Sequence, residues 1–75
     1  MMKSLCVSLN SADQVQDFVN IMNKIEGDVF LSTGRYIINA KSIIGIFSID
    51  LSKKLELEIE SWKEEYRILL EKYLS

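Results

Sequence analysis

The chain has 75 residues with a formal net charge of -2, and 48% of them are hydrophobic against 27% charged. That length supports one small domain, residues 1–75, and is too short for two. The balance is too apolar for a disordered segment and too mixed for a membrane span, and the mild acidity argues against a nucleic-acid surface, which needs a basic stripe. There is no His and no Pro. The missing His excludes Ser-His and Cys-His dyads, imidazole metal ligands and phosphohistidine chemistry together.

A single cysteine, Cys6, makes no internal disulfide and by itself no metal site, so the expected compartment is cytoplasmic. The opening run Met1 to Cys6 has no apolar stretch of the kind a signal peptide carries. From Leu5 to Leu9 the apolar residues alternate with Ser and Cys, which predicts a strand. Ser11 with Gln14 three residues on forms a capping box, with Asp13 at the positive end of the helix dipole. Ala12, Val15, Phe18, Val19 and Met22 then predict one apolar helical stripe, and Gly27 the stop after it.

Asp28 to Ser32 and Tyr36 to Ala40 predict two strands of a hairpin turning at Thr33-Gly34-Arg35. Ser42 to Phe47 is open between a strand, on the propensity of its isoleucines, and a short helix capped by Ser42. Leu55 to Glu60 alternates without exception, the pattern of a strand with one buried and one wet face. Ser61 with Glu64 reads as a second capping box. It would open a helix with Trp62, Tyr66, Leu69, Leu70 and Tyr73 on one side.

Two helices covering one face of a four-stranded antiparallel sheet would bury every apolar face that these elements present. The other sheet face would carry Ser4, Cys6, Ser8, Phe30, Ser32, Ile37, Glu56, Glu58 and Glu60, with Phe30 and Ile37 expected either as a cross-strand pair over the hairpin or as a small self-association site. The three glutamates are expected to be a solvated face rather than a cation or acid-base site.

The order of elements, together with Asn39-Ala40-Lys41-Ser42-Ile43-Ile44-Gly45-Ile46-Phe47-Ser48, resembles HPr, the small phosphocarrier of the bacterial sugar phosphotransferase system. In that family a Lys-Ser followed by apolar residues opens a short second helix, so the resemblance selects the helix over residues 42–47. An ungapped match runs from about Phe18 through Leu51 and weakens at Asp50-Leu51-Ser52-Lys53-Lys54, where the family usually has a Gly-rich turn. The implied fold class is α+β, an HPr-like open-faced sandwich of order βαββαβα with two long helices and one short helix on one face of the sheet.

The resemblance also implies what is missing. The family's phosphate-bearing His, within a Gly-apolar-His-small-Arg-Pro signature, falls on Ser11. Its Arg falls on Asp13 and its Pro on Gln14. A carboxylate in place of a bidentate phosphate ligand would repel phosphate. Ser11 and Asp13 are therefore expected to be a degenerate phosphocarrier site. Ser42 matches the Ser that a dedicated kinase phosphorylates in low-GC Gram-positive bacteria, and its alternative role is an N-cap alone. Lys41, Ile43, Ile44 and Phe47 match the family's docking patch, against the alternative of packing under a short helix. The expectation is a non-enzymatic, HPr-related regulatory or protein-binding module with no cofactor and no metal. Its partner would be an HPr kinase-like enzyme, a transcription regulator or a transport-system protein, with no nucleic acid and no membrane insertion. Two alternatives stand beside it: a transport-system component phosphorylated on Ser42, and a structural domain that self-associates as a weak homodimer.

Overall fold

The computed structural model describes residues 2–75, so the first residue of the opening run lies outside the described residues. In chain order the elements are β1 (Lys3–Val7), α1 (Ala12–Met22), β2 (Val29–Thr33), β3 (Tyr36–Asn39), α2 (Ile43–Phe47), β4 (Leu55–Ile59) and α3 (Glu65–Leu70), which runs into a 3-10 turn at Glu71–Tyr73. The four strands form one antiparallel sheet in the order β1-β4-β2-β3. Among the described residues, no helix is long and apolar enough to cross a membrane.

Alternation explains the strands. In β4, Leu55, Leu57 and Ile59 are fully buried, while Glu56 and Glu60 are exposed and Glu58 is half-buried. Each buried leucine or isoleucine contributes about 1.5–3 kcal/mol of transfer free energy. Val7 on β1 and Val29 and Leu31 on β2 face the same side, and Val15, Phe18, Val19, Ile21 and Met22 of α1 close over them. The β2–β3 hairpin turns tightly between Thr33 and Tyr36, with Gly34 at φ +55°. Gly is the residue that reaches positive φ at the first central position of such a turn without cost.

Several local expectations are corrected. Ala12 is exposed and no part of the buried stripe. Helix α1 ends at Met22, and its last turn tightens through Lys24 N–H to Ile21 O and Ile25 N–H to Met22 O. Gly27, at φ +83°, makes the later bend into β2 rather than the helix stop. Phe30 lies opposite Asn39 and Ile37 opposite Ser32, so those two apolar residues are diagonal neighbours and not a facing pair.

The last helix differs most. It is a short one of six residues, beginning at Glu65, and residues 61–64 are not helical. The reason is Trp62. Its indole Nε1 donates to Glu64 Oε1 at 3.0 Å, and Arg67 pairs with Glu64 Oε2 at 3.3 Å. The carboxylate that a capping box needs is thus already taken. Lys3 and Arg67 sit over the indole ring and Tyr66 meets it edge-on, which pins the connection from β4 to α3. Tyr66, Leu70 and Tyr73 are buried as expected, while Leu69, expected on the same side, is left exposed.

The chain end is tied down twice. Ser75 N–H donates to Cys6 O and Ser8 N–H to Tyr73 O, extending the outer edge of β1. Tyr73 packs edge-on against Phe18 and its hydroxyl donates to Asp17 Oδ2 at 2.5 Å, with Lys72 Nζ 2.9 Å from the same oxygen. The Tyr73 hydroxyl, and then Lys72, hold the Asp17 carboxyl below its ordinary value of 3.8. Burial, and then the Asp17 carboxylate, push the Tyr73 hydroxyl up to about 12.

Two outcomes follow. Leu57→Ala should cost about 2–5 kcal/mol in a urea titration, because a fully buried position in the middle of the sheet leaves a cavity that the strands cannot close. The stabilisation from Asp17 should be present above about pH 4 and be lost as pH falls through its lowered folded value. That from Tyr73 should be present below pH 10 and be lost as pH rises through about 12. Urea midpoints of Tyr73→Phe measured against pH should show both limbs flattened; limbs as steep as in the parent chain would refute the coupling.

Candidate functional site

Two helix starts carry the candidate residues. At the first, Ser11 is the N-cap of α1, in extended conformation, and its Oγ accepts from Gln14 N–H at 3.2 Å. The Gln14 side chain reaches back one residue further than a capping box requires, accepting from Asn10 N–H at 2.7 Å. Asp13 lies exposed in the first turn, where its carboxylate meets the positive end of the helix dipole. A shallow hollow of about 290 Å3 opens beside this turn, lined by Leu9, Asn10, Ser11, Ala12, Leu51 and Ser52. Among the described residues no charged side chain lines it; Asp13 stands in the first helical turn beside it.

At the second, Asn39 organises the approach. Its side-chain oxygen accepts from Lys41 N–H at 2.9 Å and its carbonyl from Ser42 N–H at 3.0 Å. Ser42 then caps α2, with its Oγ 3.1 Å from Gly45 N. Gly45 has a local reason to be Gly: a Cβ there would lie 3.3 Å from Ser42 Oγ and 3.4 Å from Ser42 Cβ. Ser48 closes the other end, its Oγ donating to Gly45 O at 2.6 Å.

The five residues of α2 divide sharply. Ile46 is fully buried and Ile43 half-buried against the core, while Ile44 is 81% and Phe47 50% exposed. Lys41 and Ser42 are half-buried at the start of the helix. The structure therefore brings Ile44 and Phe47 together on the surface. Cys6 is half-buried on β1. Among the described residues, no three His, Cys, Asp or Glu side chains gather closely enough to hold a metal ion.

Sequence reasoning missed the hollow between the hairpin tip and the segment after α2. Its lining residues are spread over three stretches of chain, from Thr33 to Lys53. Nothing in periodicity or motif spacing brings those stretches together.

No family model matches the chain, and no curated protein does. Solved structures do. The crystal structure of a phosphocarrier protein HPr from Bacillus anthracis is 29% identical with a TM-score of 0.67, covering all of this chain and 96% of that one. The crystal structure of HPr-C-His from Thermoanaerobacter tengcongensis is 22% identical with a TM-score of 0.73, covering 96% of this chain and 88% of that one. The fold is that of the HPr phosphocarriers, over nearly the whole chain.

The two caps make equal demands on a hydroxyl. Ser11→Ala and Ser42→Ala should each lower stability by about 1 kcal/mol in chemical denaturation. A neutral Ser42→Ala would mean that the short helix stands without its cap.

Proposed function

We propose that this chain is a regulatory, protein-binding module on the phosphocarrier fold, non-enzymatic and not competent to carry phosphate on histidine. One observation carries the reading: the face of α2 displays Ile44 and Phe47 to solvent, while the start of α1 offers Ser11 and Asp13 in a chain without His. A Ser hydroxyl without a neighbouring base is a weak nucleophile. The Asp13 carboxylate would oppose a phosphoryl group at that helix start.

In this reading Lys41, Ile43, Ile44 and Phe47 form the docking surface. Two large apolar side chains side by side on a five-residue helix are expensive to leave in water, and a partner would cover them. Ser42 is the regulatory position, taking the γ-phosphoryl group of ATP on its Oγ with release of ADP. The added charge would sit at the first turn of α2 beside Lys41. The matched relative from Bacillus anthracis is a phosphocarrier protein, so partners from the same system are the natural class: an HPr kinase-type enzyme, a transcription regulator or a transport-system protein, in the cytoplasm.

Incubation with an HPr kinase and ATP, followed by mass spectrometry, should place one phosphoryl group on Ser42; an unmodified Ser42 removes the regulatory part of the proposal. Incubation with phosphoenolpyruvate and enzyme I should leave the chain unlabelled, and an acid-labile label would overturn the loss of carrier function. Ile44→Asp should leave stability within about 0.5 kcal/mol while slowing phosphorylation of Ser42, because the position is exposed and the kinase would dock there.

A further inference from the structure

The hollow between the β2–β3 hairpin and the segment after α2 has no part in that reading. The strand register puts Thr33 opposite Tyr36 and Leu31 opposite Ile38, so Tyr36 and Ile38 project from the helix-covered side of the sheet. Helix α2 stops at Phe47 and leaves the tip of the hairpin uncovered, and Tyr36 is consequently 69% exposed on a side that is elsewhere core. The space has a volume of about 460 Å3. That lies within the range of roughly 300–1,000 Å3 typical of small-molecule sites.

Its walls are chemically divided. Tyr36, Ile38 and Ile49 supply apolar surface, and Arg35 and Lys53 stand at its margin. Among the described residues neither cation is in an ion pair; the two ion pairs formed are Arg67 with Glu64 and Lys72 with Asp17. Asp50 is the one carboxylate in the lining, and it is already engaged, accepting from Ser52 N–H at 3.0 Å and from Ser52 Oγ at 2.6 Å. Two cations against one engaged carboxylate leave a single positive charge beside an apolar wall.

Thr33 places a polar side chain at the same hollow. It is the buried polar residue of the core, 6% exposed. Among the described residues no fully buried side-chain oxygen or nitrogen lacks a partner. Thr33 borders this hollow and a shallower one beside Lys54 and Glu56. A hydroxyl at the edge of a pocket is a group that a ligand oxygen can bond in place of water. The end of α2 raises no objection: Ser48 Oγ and the Ser48 and Ile49 N–H groups already cover the carbonyls of Ile44, Gly45 and Ile46.

We propose that this hollow binds a small apolar monocarboxylate, with its hydrocarbon part against Tyr36, Ile38 and Ile49 and its carboxylate toward Arg35 and Lys53. The planar guanidinium fork matches a carboxylate, and a single surplus charge beside apolar walls suits a monoanion better than a heavily hydrated dianion.

The test is an amide-resonance titration of the full chain with N-acetyl-leucine, using N-acetyl-leucinamide as the uncharged control. The acid should move the amides of residues 33–38 and 48–53 in a saturable way, with a dissociation constant on the order of 1 mM for a ligand of about a dozen heavy atoms. The amide should bind at least about tenfold more weakly. The double variant Arg35→Gln with Lys53→Gln changes two exposed side chains and should keep the parent spectrum elsewhere while losing that tenfold preference. Equal affinity for acid and amide, shifts centred on another face, or no saturable shift would each overturn the proposal.

Discussion

The structure depends on the insertion of β4 between β1 and β2. The last strand in sequence is central in space, and its Leu55, Leu57 and Ile59 lie against both neighbours and beneath the helices. Because β4 is antiparallel to each, β1 and β2 run parallel to one another and need a crossover, which α1 provides. The hairpin and α2 then hang from β2, and α3 with the chain end returns along β1. Loss of β4 would separate the two flanking strands and leave α1 without a floor.

Within that frame the two candidate sites are built by the same device, a Ser hydroxyl closing the first turn of a helix. They differ in what surrounds the cap. At α1 the chain supplies its own carboxylate, Asp13, and no cation. At α2 it supplies Lys41 behind the cap and two apolar side chains on the outer face. The first arrangement is self-satisfied; the second leaves apolar area in contact with solvent. The chain has the fold of the HPr phosphocarriers, and the start of its α1 carries a carboxylate.

The last quarter of the chain shows how a single side chain redirects a local pattern. Trp62 is too large to leave exposed, and its N–H needs an acceptor once the ring is packed. Glu64 provides it, and the helix that the sequence pattern starts at Ser61 begins at Glu65 instead. Leu69 is left exposed there, and Tyr73 is buried. Its hydroxyl then joins Asp17 and Lys72 in the contact that fastens α3 to α1.

Strict alternation in residues 55–60 and the helical stripe from Val15 to Met22 were legible as sequence, because each is a relation between residues a few positions apart; the segment from Ser42 to Phe47 stayed open to a strand on local pattern, and only the family resemblance selected the helix that forms there. The absence of His was legible as well, since it is a property of composition and needs no fold to be read. Tertiary structure alone decided that β4 lies between β1 and β2, that Glu64 serves an indole rather than a helix cap, and that Arg35, Thr33 and Lys53 share one hollow. Those are relations between segments far apart in the chain, and they follow from which surfaces are buried together, a quantity that no local spacing contains.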